Sequence, residues 1–237
     1  MRRIAYVDQA LDIGGAEQSL IELVPLVDRR RYEPVLLHGA NARWVEAPEL
    51  TGVRRVPVFH PAPILEAKRE DLKAGWLGSR QFLLAAPRVA WALRRVVRAE
   101  SIDLIHTNAL KSHLLAGLAA RLPRRPLVWH VRDILSEPGA RNWLLSAART
   151  LRPYVIAISQ AVAEQFGPLG DRLKVRVIYN GVPLERFRPG PPPPGLRAEL
   201  GLGEEDRVIA VVGRLTPWKG HETLLEAMRT VRERCPK

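Results

Sequence analysis

The sequence predicts an α/β protein: a doubly wound, mainly parallel sheet, followed by the start of a second, incomplete domain of the same kind. Three observations carry that expectation. Short apolar runs alternate with stretches whose apolar residues recur at helical spacing. Several runs end in polar clusters, as buried parallel strands do where an α/β site is built. A proline-rich stretch, Arg188 to Gly195 (RPGPPPPG), interrupts the alternation before one last run and one last helix.

Arg3 to Val7 opens the sheet. The turn Asp12-Ile13-Gly14-Gly15-Ala16-Glu17 follows, and Leu20, Leu23, Val24 and Val27 then mark one helix face. Strand, glycine turn and helix form the opening of a Rossmann-like half. The full G-x-G-x-x-G is lacking, so dinucleotide binding is not indicated. Gly14 and Gly15 have two readings, close approach of a ligand to the backbone or a tight turn needing positive φ.

Pro34 to His38 reads as a second strand, and Val53 to Phe59 as a third, weakened by Pro57. Residues 60 to 80 carry prolines with Lys68, Arg69, Lys73, Trp76 and Arg80. Phe82 to Val97 is then apolar at helical spacing, with Arg88, Arg94, Arg95 and Arg98. This is either a packed helix with a solvated basic face or a surface that rests on anionic lipid.

Asp103 to Thr107 is a strand ending in His106-Thr107-Asn108. The helix after it turns Leu114, Leu115, Leu118 and Leu122 inward. Leu127 to Val131 is a strand ending in His130-Val131-Arg132-Asp133. A single histidine at a strand end is often structural, but two polar clusters on successive strands point to a site. Tyr154 to Ile158 is a strand whose following helix Ser159 caps. Val175 to Tyr179 is another, leading into Asn180-Gly181-Val182-Pro183.

These elements give about seven strands before the prolines. Residues 1–190 form the first domain, 191–206 the linker, and 207–237 one strand and one helix, too little to enclose a core. The strand is Val208 to Val212. A loop with Arg214, Pro217, Lys219 and Gly220 follows, then a helix face of Leu224, Leu225, Met228 and Val231. Two cations on a loop between a strand and a helix N-terminus suit a phosphate or diphosphate. They also fit an ordinary solvated loop.

The 237 residues are 46% hydrophobic and carry a net charge of +12. A packed core is feasible, and anionic partners are favoured. The lone Cys235 excludes an internal disulfide and a cysteine metal cluster, and fits a reducing cytoplasm. Met-Arg-Arg turns into a strand too soon for a signal peptide. No apolar run reaches the ~18–20 residues of a membrane span.

Gly213 to Gly220, GRLTPWKG, resembles the GRL-x-x-x-KG segment of GT-B glycosyltransferases, family 4. The likeness extends to LLEA at Leu224 to Ala227, GGAE at Gly14, HTN at His106, WHVRD at Trp129, the Ser159 cap and YNGVP at Tyr179. The resemblance implies two facing Rossmann-like domains, the first for an acceptor and the second for a nucleotide-diphosphate sugar. It implies transfer with retention and no metal or other cofactor. Arg214 and Lys219, with Gly14 and Gly15, would hold the donor diphosphate. His130 would touch the donor sugar near the reacting carbon. Glu17, His106, Asn108, Arg132, Asp133 and Asn180 would line the acceptor cleft.

The implied acceptor is a glycan, a lipid-linked glycan or a small molecule, with a role in cell-envelope polysaccharide or lipopolysaccharide synthesis. The implied location is cytoplasmic, with peripheral contact at the inner face of the plasma membrane. The sequence departs from the family in one respect. The paired glutamates of the E-x7-E motif have no match. Glu226 and Glu233 have the spacing, but they lie on the helix that follows the phosphate loop. The chain therefore reads as a truncated piece, expected to bind donor weakly and transfer nothing.

Three rivals stand beside this reading. A GT-B sugar-nucleotide epimerase would share the fold and use carboxylates for proton transfer. A nucleic-acid binder is permitted by charge, but no helix-turn-helix, zinc or aromatic RNA motif occurs. A fragment could also bind acceptor or membrane and catalyse nothing.

Overall fold

The computed structural model describes residues 1–59, 80–121, 124–191, 194–203 and 205–235. The chain divides into two compact units, Met1–Pro183 and Leu184–Lys237.

The first unit is a sheet of seven strands: β1 (Arg2–Asp8), β2 (Tyr32–Gly39), β3 (Arg54–Phe59), β4 (Leu104–Thr107), β5 (Leu127–Val131), β6 (Tyr154–Ala157) and β7 (Val175–Val177). Their order is β3-β2-β1-β4-β5-β6-β7, and every pairing is parallel. The doubly wound expectation is met. The order turns back between β1 and β4, and in open α/β sheets the ligand crevice lies outside the carboxyl ends at that switch point.

Five longer helices alternate with the strands: α1 (Gly15–Leu23), α2 (Arg80–Ala99), α3 (Leu110–Arg121), α4 (Pro138–Leu151) and α5 (Gln160–Glu164). A four-residue helix, α6 (Leu169–Arg172), leads into β7. Apolar side chains on both sheet faces form the core. One cluster joins Ala5, Val7, Ile105 and Trp129 to Leu93 and Val97 of α2, Leu115 of α3 and Leu144 of α4. The other joins Tyr6 and Leu36 to Leu20 and Ile21 of α1 and to Trp44. Strands buried on both faces must be apolar throughout, which is why they read as unbroken runs.

Pro57 is tolerated because β3 pairs only with β2, on the sheet edge, where the missing N–H costs no second ladder. Ser159 caps α5, its Oγ accepting from the Val162 N–H at 3.2 Å. Gly117 lets α3 approach α4: a Cβ there would run into Leu151 Cδ1.

Two expectations change in this unit. Leu118 is exposed; the inward face of α3 runs instead through Leu114, Leu115, Ala116, Ala119 and Ala120. Leu122 lies outside the described residues. β7 ends at Val177, and Ile178 and Tyr179 face solvent. Lys68, Arg69, Lys73 and Trp76 also lie outside the described residues.

The second unit holds two helices, α7 (Leu196–Glu199) and α8 (His221–Arg234), and a 3-10 turn, Pro217–Lys219. Val208 to Val212 is not a strand. The run is extended and exposed, with Val212 96% accessible. A strand is defined by a ladder, and among the described residues no strand lies beside it to supply one. α8 forms where expected but buries no residue, and Leu225 and Val231 of its apolar face are exposed.

Candidate functional site

At the switch point, β1 ends in Asp8, β4 runs into Asn108, and β5 runs into Arg132. Apolar strand interiors hold these three backbone ends rigidly, so their side chains meet outside the sheet edge. Asp8 is fully buried. Its Oδ1 accepts from the Ala10 N–H at 2.9 Å, and its Oδ2 accepts from Asn108 Nδ2 at 2.9 Å.

The same Nδ2 donates to the Ala16 carbonyl at 3.0 Å. A carbonyl only accepts, so this contact fixes the amide orientation and turns Asn108 Oδ1 toward Arg132. Arg132 Nε donates to that oxygen at 2.7 Å. Arg132 Nη1 donates to Asn180 Oδ1 at 2.9 Å, and Nη2 reaches His130 Nδ1 at 3.2 Å.

Three histidines lie behind this guanidinium. His106 Nε2 is 3.3 Å from His130 Nδ1, and the two rings meet edge to face at 5.3 Å. His113 Nδ1 is 2.6 Å from Thr107 Oγ1, while the Thr107 hydroxyl donates to the Val128 carbonyl at 3.1 Å. That hydroxyl has only one proton, so His113 Nδ1 donates to it. The His113 ring stacks on buried Trp129 at 5.2 Å. His130 Nε2 is buried and has no hydrogen-bond partner.

Burial sets the protonation of this cluster. It pushes His106 and His113 down to about 3; Arg132 adds to the shift at His106, and His106 and Arg132 add to it at His113. Burial, then Arg132 and the other two imidazoles, push His130 down to about 2. All three are neutral at pH 7. Burial and the nearby Glu17 push Asp8 up, against the hydrogen bonds from Ala10 and Asn108 and the charge of Arg132. Burial lowers Arg132.

The expected residues thus divide. His106, Asn108, His130, Arg132 and Asn180 form one connected network. Glu17 is buried and acts as a cap, its Oε2 accepting from the Gly14 N–H at 2.8 Å. Gly14 is extended, with φ −135°, and Gly15 is not among the residues with positive φ. The positive-φ reading of the turn is therefore set aside. A Cβ at Gly14 would lie 2.9 Å from Glu17 Oε2, so the glycine makes room for the cap. Asp133 is exposed, and its carbonyl accepts from Gln165 Nε2 at 3.0 Å.

In the second unit, Arg214 and Lys219 are both exposed, and among the described residues neither is in an ion pair. His221 Nε2 donates to the Arg214 carbonyl at 3.0 Å. The Lys219 stem would sit 3.7 Å from a Cβ at Gly213. Gly220, at φ +71°, ends the 3-10 turn and starts α8 in a conformation that favours glycine.

Asp8 and His113 are part of the network without having been singled out in the sequence. Asp8 ends an apolar run as His106 and His130 do, and that placement is the signal for it. His113 lies within a helix that reads as core. Among the described residues, no group of three or more His, Cys, Asp or Glu is arranged to hold a metal ion.

A doubly wound sheet with its polar groups gathered at the switch point is the frame of a ligand-binding α/β protein. The sequence then fixes the family. Residues 13–186 match the profile of Glycosyltransferase Family 4, and the chain belongs to that family.

The D-inositol 3-phosphate glycosyltransferase of Frankia alni is 41% identical, over 95% of this chain and 57% of its own length. The UDP-Gal:alpha-D-GlcNAc-diphosphoundecaprenol alpha-1,3-galactosyltransferase of Escherichia coli is 30% identical, over 60% of this chain and 40% of its own. Among solved structures, Anabaena HepE in complex with UDP-glucose is 27% identical with a TM-score of 0.70, covering 96% of this chain and 57% of that one. The chain spans about half the length of the curated relatives it matches.

Proposed function

We propose that this chain is the acceptor-side domain and diphosphate loop of a retaining glycosyltransferase. The enzyme moves a sugar from a nucleotide-diphosphate donor to a glycan, lipid-linked or small-molecule acceptor in envelope polysaccharide or lipopolysaccharide synthesis. The observation that carries the reading is the Arg132-centred network at the switch point, with the unpartnered His130 Nε2 beside it. A buried donor left unmade costs about 1–3 kcal/mol, and a sugar hydroxyl is a fitting partner for it.

HepE, with its UDP-glucose, supports a nucleotide-sugar donor. The E. coli relative's name carries a diphosphoundecaprenol acceptor, which supports a lipid-linked one. Family membership favours transfer over epimerisation. Arg214 and Lys219 are assigned to the donor diphosphate, where fixed cations stabilise the charge that grows on the leaving group. Gly14 and Gly15 are assigned to the same diphosphate. Glu17, Asp133 and the network residues are assigned to the acceptor side.

The cytoplasmic, membrane-peripheral placement rests on α2, which holds five arginines and no acidic residue. Leu84, Arg88, Trp91, Arg95 and Arg98 share its exposed side, with the Arg95 guanidinium 6.0 Å over the Trp91 ring. A basic helix face bearing Leu and Trp suits an anionic bilayer surface. Among the described residues, no helix is long and apolar enough to cross a membrane.

Calorimetric titration with a nucleotide-diphosphate sugar tests the donor assignment. Binding that weakens in Lys219→Ala supports it. Donor binding unaffected by removal of both Arg214 and Lys219 would overturn it.

A further inference from the structure

We propose that Arg132 is a positioning residue that locks His130 as a neutral imidazole protonated on Nε2, so that His130 meets its ligand as a hydrogen-bond donor and not as a base. The inference rests on His130 belonging to the site described above, and it deepens that reading.

Which groups can donate decides the tautomer. A guanidinium has no acceptor. Its Nη2 lies 3.2 Å from His130 Nδ1, so Nδ1 is the accepting nitrogen and carries no proton. His106 Nε2 lies 3.3 Å from the same atom and is therefore a second donor to it. With Nδ1 occupied from two sides, the single proton of the neutral ring sits on Nε2, the buried atom with no partner.

Arg132 is itself held. Its Nε and Nη1 donate to Asn108 and Asn180 at 2.7 and 2.9 Å, and the Asn108 amide is fixed by Asp8 and the Ala16 carbonyl. The guanidinium cannot swing away without breaking bonds anchored on β1 and β4. The ionisable groups that act on His130 are Arg132, His106 on β4 and His113 on α3, and after burial itself each of them disfavours a second proton on the ring.

Neither ring nitrogen can then accept a proton from an incoming hydroxyl. Nδ1 is filled and Nε2 is already protonated. The donor contact Nε2–H is available to a sugar or phosphate oxygen, and the proton released by an acceptor hydroxyl must go to a different group.

The test is nitrogen NMR of this chain carrying 15N-histidine, with His130 assigned by His130→Gln. The expected spectrum at pH 7 shows one neutral His130 tautomer, protonated on Nε2. In Arg132→Gln the expected result is loss of the single tautomer, with signal from both forms. Arg132→Lys keeps a cation and one donor and should retain the Nε2–H form in part. A single Nε2–H form that persists in Arg132→Gln overturns the proposal, as does an Nδ1–H form in the native chain. Circular dichroism identifies a variant that fails to fold, and the native spectrum then still decides the tautomer.

In the complete protein, kcat of Arg132→Gln should fall on the order of 10²-fold, the scale of a lost transition-state donor, with KM little changed. The native pH profile should lack a limb from His130, because burial, with Arg132 adding to it, keeps the ring neutral. Because the NMR test needs no turnover, an overturned tautomer and an absent glycosyl transfer are separate outcomes.

Discussion

Acid should unfold the first unit early, and the three buried imidazoles set how early. His106 and His113 titrate near 3 and His130 near 2 in the folded protein, against about 6.5 in an unfolded chain. Between those limits the unfolded chain binds up to three protons that the native state refuses. Stability is thus present above pH 6.5 and lost as pH falls, by about 4 kcal/mol per pH unit once all three are protonated in the unfolded chain. Asp8 works in the opposite sense. Its folded value is raised to about 7, so between about 4 and 7 the native state holds a proton that the unfolded chain has released, and acidification returns about 1.4 kcal/mol per unit. The net loss from pH 6 to pH 4 is about 5 kcal/mol, comparable to the whole stability of an ordinary domain at about 5–15 kcal/mol. Urea unfolding followed by tryptophan fluorescence reads this directly, since Trp44 and Trp129 are buried. The midpoint should fall steadily from pH 7 to pH 5, and His113→Gln should flatten the slope by about one imidazole's share, ~1.4 kcal/mol per unit. A midpoint constant over that range would refute neutral burial of the histidines.

Three further outcomes follow from named contacts. Asn108→Ala strips partners from buried Asp8, from the Ala16 carbonyl and from Arg132 Nε, and should cost about 2–4 kcal/mol in chemical denaturation; a loss under 0.5 kcal/mol would show the network to be replaceable by water. In the complete protein, Lys219→Ala should lower kcat on the order of 10²–10³-fold, and Arg214→Lys should restore only part of an Arg214→Ala loss, because a point charge replaces a planar fork; unchanged turnover would remove the diphosphate assignment. The chain should sediment with anionic vesicles and be released by salt, since exposed charges are screened within about 8–10 Å at 0.10–0.15 M; Trp91→Ser should weaken that binding, and equal affinity for neutral vesicles would count against the α2 face.

The seven-strand sheet was legible because buried parallel strands leave unbroken apolar runs and the helices leave a 3.6-residue period. Strand ends were placed to within about two residues, the spread left by fraying ladders. Most of the network was legible for a different reason: His106, Asn108, His130, Arg132 and Asn180 stand at or just beyond the ends of apolar runs. The order β2-β1-β4-β5 that brings them together is a long-range property and has no local signature. His113 was hidden because α3 reads as core, and its imidazole satisfies itself on Thr107 and Trp129 inside that core. Of the two readings of Gly14, the positive-φ turn fails because the residue is extended, and the space it leaves for the Glu17 carboxylate depends on a packing contact that no local pattern shows. Val208 to Val212 shows the converse error. Its composition is that of a strand, but strand formation depends on a neighbour, and a window of residues carries no information about one.

That same run has a consequence for handling the protein. Val208, Ile209, Val211 and Val212 are 56%, 60%, 45% and 96% exposed, and Val208 to Val212 contains neither a charge nor a proline. Such a segment is an adhesive template: its N–H and C=O groups, unpaired among the described residues, can pair with the same segment of another molecule. Arg207 and Arg214 flank it as gatekeepers, so like charges hold copies apart in dilute, low-salt solution. Concentrating the chain, or raising the ionic strength to release it from an anionic resin, weakens that protection, and light scattering should then rise with both.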